Sequence, residues 1–216
     1  VTTALDRLAR RVSDLEKQVR SLQFGAAVGA GNTTQYGPNV ISNGDMESGS
    51  TNWVRSFNTG TLGTVSVETA APLDGLKSLK ISEAASSSTR MTYLPTGSSA
   101  SPTVGTDVFS TQPGDVWLIS ALMQSTISTT HAKIYGFCGA TPPDCYGLQS
   151  AGVTVWVNAA DIPLTAVAPS LLQGTIIVPA GMQYVTFNGS PDDAAGASGS
   201  PWSWLMDTVS LQQKLV

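Results

Sequence analysis

Residue types able to run a reaction are few in this chain, and none stands in a working arrangement. The one histidine, His131, sits in Thr-Thr-His-Ala-Lys with no acid–base partner beside it in sequence. General acid–base catalysis needs a positioned group within hydrogen-bond reach of the proton it moves, so His131 reads as an exposed strand-end histidine. Asp192 and Asp193 are adjacent carboxylates in a stretch rich in Gly, Ala and Ser, and they read as solvated. Glycoside hydrolysis needs two carboxylates across a cleft. Gly-x-Ser-x-Gly, His-Glu-x-x-His and Gly-Lys-Ser/Thr patterns are absent. Cys138 and Cys145 enclose Gly-Ala-Thr-Pro-Pro-Asp; they form either a local disulfide, in an oxidising setting, or two free thiols. With a single histidine in the chain they cannot complete a four-ligand zinc site. The chain is expected not to be an enzyme.

Aromatic side chains are the more informative group. Trp117 lies in an apolar run and Trp204 alternates with Met206, so both are expected in a core, as is Trp53. Trp156 alternates with the polar residues Thr154 and Asn158, which points its ring outward. Trp202, in Gly-Ser-Pro-Trp, falls at a loop end. Trp156 and Trp202, with Tyr135 and Tyr146, are the candidate surface contacts, serving either a ligand or another subunit.

Short β segments separated by turn residues are what must hold these rings. They are expected at 64–69, 76–82, 90–94, 115–124, 133–137, 153–158, 174–178, 183–188 and 204–212, with Pro-Gly and Pro-Pro breaks between. The segment 115–124 is apolar enough to be buried on both faces. Evenly spaced strands without intervening helices predict a β-sandwich.

Ahead of them the pattern differs. Leu5, Leu8, Val12, Leu15, Val19 and Leu22 recur at alternating spacings of three and four, the seam of a coiled coil. Arg11 and Glu16 fall at g and e, where parallel chains exchange charge pairs. Val at a with Leu at d leans toward a dimer, whereas Arg11-Val12-Ser13-Asp14-Leu15-Glu16 resembles a short trimerisation motif, and a homotrimer is expected. The organisation read from sequence is therefore an oligomerisation helix at 1–24, a Gly-rich linker at 25–38 and a β-sandwich at 39–216. The fold class is mainly β, an N-terminal α-helical coiled coil followed by a jelly roll.

Composition narrows the partners. Of 216 residues, 41% are hydrophobic and only 12% charged, a balance suited to all-β extracellular or virion proteins. The net charge is −4, with the acidic excess all in the β region, and no basic patch suits a phosphate backbone. No run of about 20 apolar residues is present. Val1 in place of a Met points to processing or trimming.

Two ends of the β region are similar to a known family. Asn39-Val40-Ile41-Ser42-Asn43-Gly44-Asp45-Met46-Glu47-Ser48-Gly49, with Trp53 beyond, resembles the opening strand of carbohydrate-binding-module jelly rolls. Leu205-Met206-Asp207-Thr208-Val209-Ser210-Leu211 resembles their last strand, with Thr208 where an Asp is usual. Leu73–Ile81 and Pro113–Ser120 resemble two strands between. The resemblance implies that the first and last strands lie side by side. It implies a structural calcium there, with Glu47, Asp207 and Asp45 as candidate ligands; hard oxygen donors suit that ion. It also implies sugar binding, for which Tyr135, Tyr146, Trp156 and Trp202 are the candidate contacts.

Taken with the seam, the architecture looks like a minor tail protein or fibre of a tailed bacteriophage. Such a protein would attach to other virion proteins through its N-terminal helix and display a sandwich that touches host-surface carbohydrate. A capsid decoration protein or head fibre without a receptor role is the rival within the virion. A secreted bacterial carbohydrate-binding module is the third reading.

Overall fold

The computed structural model describes residues 34–59, 63–84, 87–97, 101–129, 131–146, 154–192 and 201–215. Residues 36–214 form one compact unit. Its strands are β1 (Trp53–Thr59), β2 (Thr64–Glu68), β3 (Ser78–Glu83), β4 (Ser88–Tyr93), β5 (Phe109–Ser110), β6 (Val116–Ser125), β7 (His131–Gly139), β8 (Thr154–Ile162), β9 (Ser170–Ile177), β10 (Tyr184–Asp192) and β11 (Trp202–Gln213). A 3-10 turn, Pro142–Tyr146, follows β7.

Two antiparallel sheets face each other. One runs β1-β4-β10-β7-β8, with β5 also paired to β10; the other runs β2-β3-β11-β6-β9. Period-two patterning builds the core between them. On β6, Trp117, Ile119, Ala121 and Met123 are buried, while Val116, Leu118, Ser120, Leu122 and Gln124 are half-exposed. This strand therefore has one buried face, where its apolar run suggested two.

β11 is central in its sheet and carries Trp204, Met206, Val209 and Leu211 into the core. Their spacing changes phase at a bulge. Asp207 pairs with Leu122 and Ser210 with Ser120, so β11 holds one more residue than β6 across that step. Thr208 sits there with φ 49°.

The opening motif is a set of turns rather than a strand, and it lies along β11. Val40 N–H donates to Leu211 O at 3.0 Å and Val209 N–H to Gly44 O at 2.8 Å. Asn39 Nδ2 donates to Val209 O at 3.0 Å. Gly44 is required here because a Cβ would fall 2.2 Å from Val209 O. Asn43, with φ 52°, organises the turn. Its Nδ2 donates to Thr51 O at 2.7 Å and its Oδ1 accepts from Ser48 N–H at 2.8 Å.

The fold class needs correction. Among the described residues there are eleven strands and no α-helix, so the class the structure supports is a β-sandwich, and the coiled coil expected ahead of it is not supported. An apolar stripe of barely two and a half heptads is too short to specify a coiled coil, whereas the strand pattern continues from 53 to 213. Leu5, Leu8, Arg11, Val12, Leu15, Glu16, Val19 and Leu22 lie outside the described residues, as does the homotrimer contact expected of them.

Candidate functional site

The larger sheet turns Met91, Tyr93, Val185, Phe187, Ile134 and Cys138 into the core. Strand alternation then sends Arg90 and Thr92 of β4, Thr186, Asn188 and Ser190 of β10, Tyr135 and Phe137 of β7, and Trp156 and Asn158 of β8 to the other face. Register sets them in rows. Asn188 stands between Thr92 and Tyr135, and Phe137 between Thr186 and Trp156. The rings meet: Tyr135 and Trp156 have centroids 5.9 Å apart, and Phe137 stacks on Trp156 at 5.2 Å. The Arg90 guanidinium lies 3.8 Å from the Trp156 ring centroid and 5.6 Å from that of Phe137, within cation–π range.

Polar groups are buried on this face. Asn188 is 0% exposed and its Nδ2 donates to Thr92 Oγ1. Asn188 Oδ1 and Trp156 Nε1 are buried with no hydrogen-bond partner among the described residues. Buried polar atoms are nearly always paired, so these two have hydrogen-bonding capacity suited to a ligand. Aromatic faces with a few fixed polar groups are the makings of a small-molecule site.

Of the four aromatic candidates, Tyr135 and Trp156 are brought together here, both half-exposed. The other two are placed elsewhere. Trp202 is 5% exposed, shares the core-facing parity of Trp204 and Met206, and donates through Nε1 to Ser87 O at 3.1 Å. Its apparent loop-end position corrects to the start of β11. The Tyr146 hydroxyl donates to Asp107 O at 2.6 Å and lies 2.9 Å from Tyr93 O, and burial pushes its pKa up. It ties the 3-10 turn to the sheet. Arg90, Asn188 and Phe137 were missed from sequence; for Asn188 and Phe137 the signal was the alternation Thr186-x-Asn188-x-Ser190 set against that of the β7 aromatics, and Arg90 had none.

The calcium candidates hold backbone instead of converging on an ion. Glu47 Oε1 accepts from Leu76 N–H at 2.7 Å, and Lys77 Nζ donates to Glu47 O at 2.7 Å. Asp207, 1% exposed, accepts from Ser78 Oγ at 2.8 Å and Asp74 N–H at 3.1 Å on Oδ2, and from Thr208 N–H at 2.7 Å on Oδ1. Burial pushes the Asp207 carboxyl up to about 7 against the pull of these donors. Asp45 is exposed, and its Oδ1 lies 3.4 Å from Glu47 N. No three His, Cys, Asp or Glu side chains converge among the described residues. A lysine ammonium and backbone N–H groups stand where cation-binding oxygens would be needed, so these residues do not fit calcium.

His131 is exposed, with Nδ1 2.7 Å from Asp161 Oδ1; Lys133 Nζ is 3.8 Å from Asp161 Oδ2. A bulge at Ala159, where Ile134 pairs with Ala160 and Tyr135 with Asn158, turns Asp161 to this side. Cys138 and Cys145 are free and buried. Burial pushes the Cys138 thiol up to about 12 and Cys145 higher still, which keeps both protonated and unreactive.

No protein-family model matches the sequence, and none of the curated proteins does. Solved structures do. The enzymatically active domain of tailspike protein 4 of bacteriophage CBA120 matches with a TM-score of 0.52 and 17% identity, over 80% of this chain and 21% of that one. The chain thus spans about a fifth of the tailspike structure's length. A family 16 carbohydrate-binding module matches with a TM-score of 0.50 and 17% identity, over 80% of this chain and 99% of that one. The fold is a jelly-roll β-sandwich similar to that of the family 16 carbohydrate-binding module.

Proposed function

We propose that the sandwich is a non-catalytic carbohydrate-binding domain, and that the sugar lies on the outer face of the larger sheet. The observation that supports this most is the adjacency of Tyr135 and Trp156 on that face, beside an Asn188 carbonyl oxygen that lacks a partner among the described residues. Tyr135 offers a half-exposed ring for stacking, and Asn188 and Asn158 offer amides to orient hydroxyls. Native gels cast with soluble polysaccharides test the reading. Retardation of the wild type, lost in Tyr135→Ala, supports it; equal retardation of both variants moves the site elsewhere. Migration unaffected by any polymer counts against sugar binding.

We further propose that the domain is displayed on a tailed-phage particle, as a minor tail protein or fibre. The likeness to a domain of a bacteriophage tailspike supports this setting. Immunogold labelling of particles tests it: label on the tail supports it, label on the head makes the protein a capsid decoration, and unlabelled particles overturn it.

A further inference from the structure

The second ring of the face, Trp156, already has a group on it. Arg90 Cζ lies 3.8 Å from the Trp156 ring centroid, which is van der Waals contact for two flat groups. Arg90 belongs to β4, three strands away from β8 in the sheet order. Its long side chain therefore spans β10 and β7 to reach that ring, and the residue is only 8% exposed. On the same face Asn188 Oδ1 and Trp156 Nε1, an acceptor and a donor, are buried without partners among the described residues. A hydroxyl both donates and accepts, so a sugar is suited to satisfy both atoms. It reaches the ring only after the guanidinium withdraws.

The geometry points to Arg90 as a displaceable cover, whose place over Trp156 is taken by a neutral sugar ring on binding; this rests on the carbohydrate reading above. Apparent affinity is then the intrinsic affinity multiplied by the fraction of molecules with Arg90 withdrawn. A neutral sugar competes with the guanidinium for the ring; in the rival arrangement the guanidinium is itself a binding group that pairs with an acidic sugar.

The experiment compares wild type, Arg90→Ala, Arg90→Lys and Tyr135→Ala in native gels containing xylan, barley β-glucan, galactomannan or polygalacturonate. Near-UV circular dichroism confirms folding. Arg90→Ala is expected to bind the neutral polymer that retards wild type about three- to tenfold more tightly. Arg90→Lys, which keeps the charge but loses the flat fork, should fall between, and it carries the comparison if the alanine variant does not fold. Weaker or unchanged binding in the Arg90 variants, with binding lost in Tyr135→Ala, overturns the cover while leaving the sugar site standing. So does retardation of wild type by polygalacturonate that Arg90→Ala abolishes. If no polymer retards wild type or either Arg90 variant, the sugar reading fails and the cover falls with it.

Discussion

Trp204 donates its indole N–H to Oε1 of Glu83 at 3.1 Å, inside the sandwich. The same carboxylate accepts from Thr89 N–H at 2.7 Å and Thr89 Oγ1 at 2.9 Å, which ties β3 to β4 and to β11. Glu83 is 3% exposed. It is a buried acid whose oxygens are engaged by three donors, two of them from Thr89 on the opposite sheet.

Glu83→Ala leaves these donors stranded. Each buried, unsatisfied donor costs about 1–3 kcal/mol, so the variant should lose roughly 3 kcal/mol or more. Glu83→Gln retains one acceptor oxygen and should lose less. Urea denaturation read by tryptophan fluorescence checks the order, and equal midpoints for wild type and the alanine variant would refute the assignment.

Asp207 makes stability depend on pH. Its carboxyl is raised from the ordinary 3.8 to about 7 in the folded state, so the folded protein holds this proton more tightly than the unfolded chain does. The contribution is fully present below about pH 4 and is lost as pH rises toward 7, since stability falls wherever the folded state binds more protons. Asp207→Asn should flatten the dependence of Tm on pH between 4 and 7. A wild-type curve parallel to that of the variant across this range would show that Asp207 does not titrate there.

The junction of Glu47, Lys77 and Asp207 is expected to work without metal. EDTA or added calcium should move Tm by less than about 1 °C, given that a bound ion stabilises by its own binding free energy. Lys77→Met removes the ammonium that holds the Glu47 carbonyl and should cost about 1 kcal/mol. A calcium-dependent rise in Tm of several degrees would contradict the donor chemistry described above.

Gly44→Ala should be among the most damaging small substitutions. Its methyl would press on Val209 O at 2.2 Å, and both backbones are held by the bond from Val209 N to Gly44 O. A loss of roughly 3 kcal/mol is expected from such overpacking, measured by thermal unfolding against wild type; an unchanged Tm would refute the contact.

Much of the sandwich could be read from alternation, and the exceptions have physical causes. Nine strands were legible because their apolar residues alternate or cluster. β1, Trp-Val-Arg-Ser-Phe-Asn-Thr, is too polar to declare itself and is held by pairing to β4. β5 is only two residues long and exists through β10. Trp202 was misplaced because the Pro before it outweighed its shared parity with Trp204. The site was half legible. Trp156 stood out by its polar neighbours, but Arg90 gave no local sign, since what defines it is a reach across two intervening strands. The calcium expectation took no account of Lys77, a side chain that no motif singled out and that holds the Glu47 carbonyl.

Thr208 is the residue that β11 has in excess. Without it, Trp204, Met206, Val209 and Leu211 would alternate as a regular strand, and Val209 would fall opposite Ala121 with no break in the ladder to β6. The interior would not miss it. What would go is the bend that carries the Val209 carbonyl out to Asn39 and Gly44, so a single supernumerary threonine is what lets the amino-terminal turns clasp the final strand.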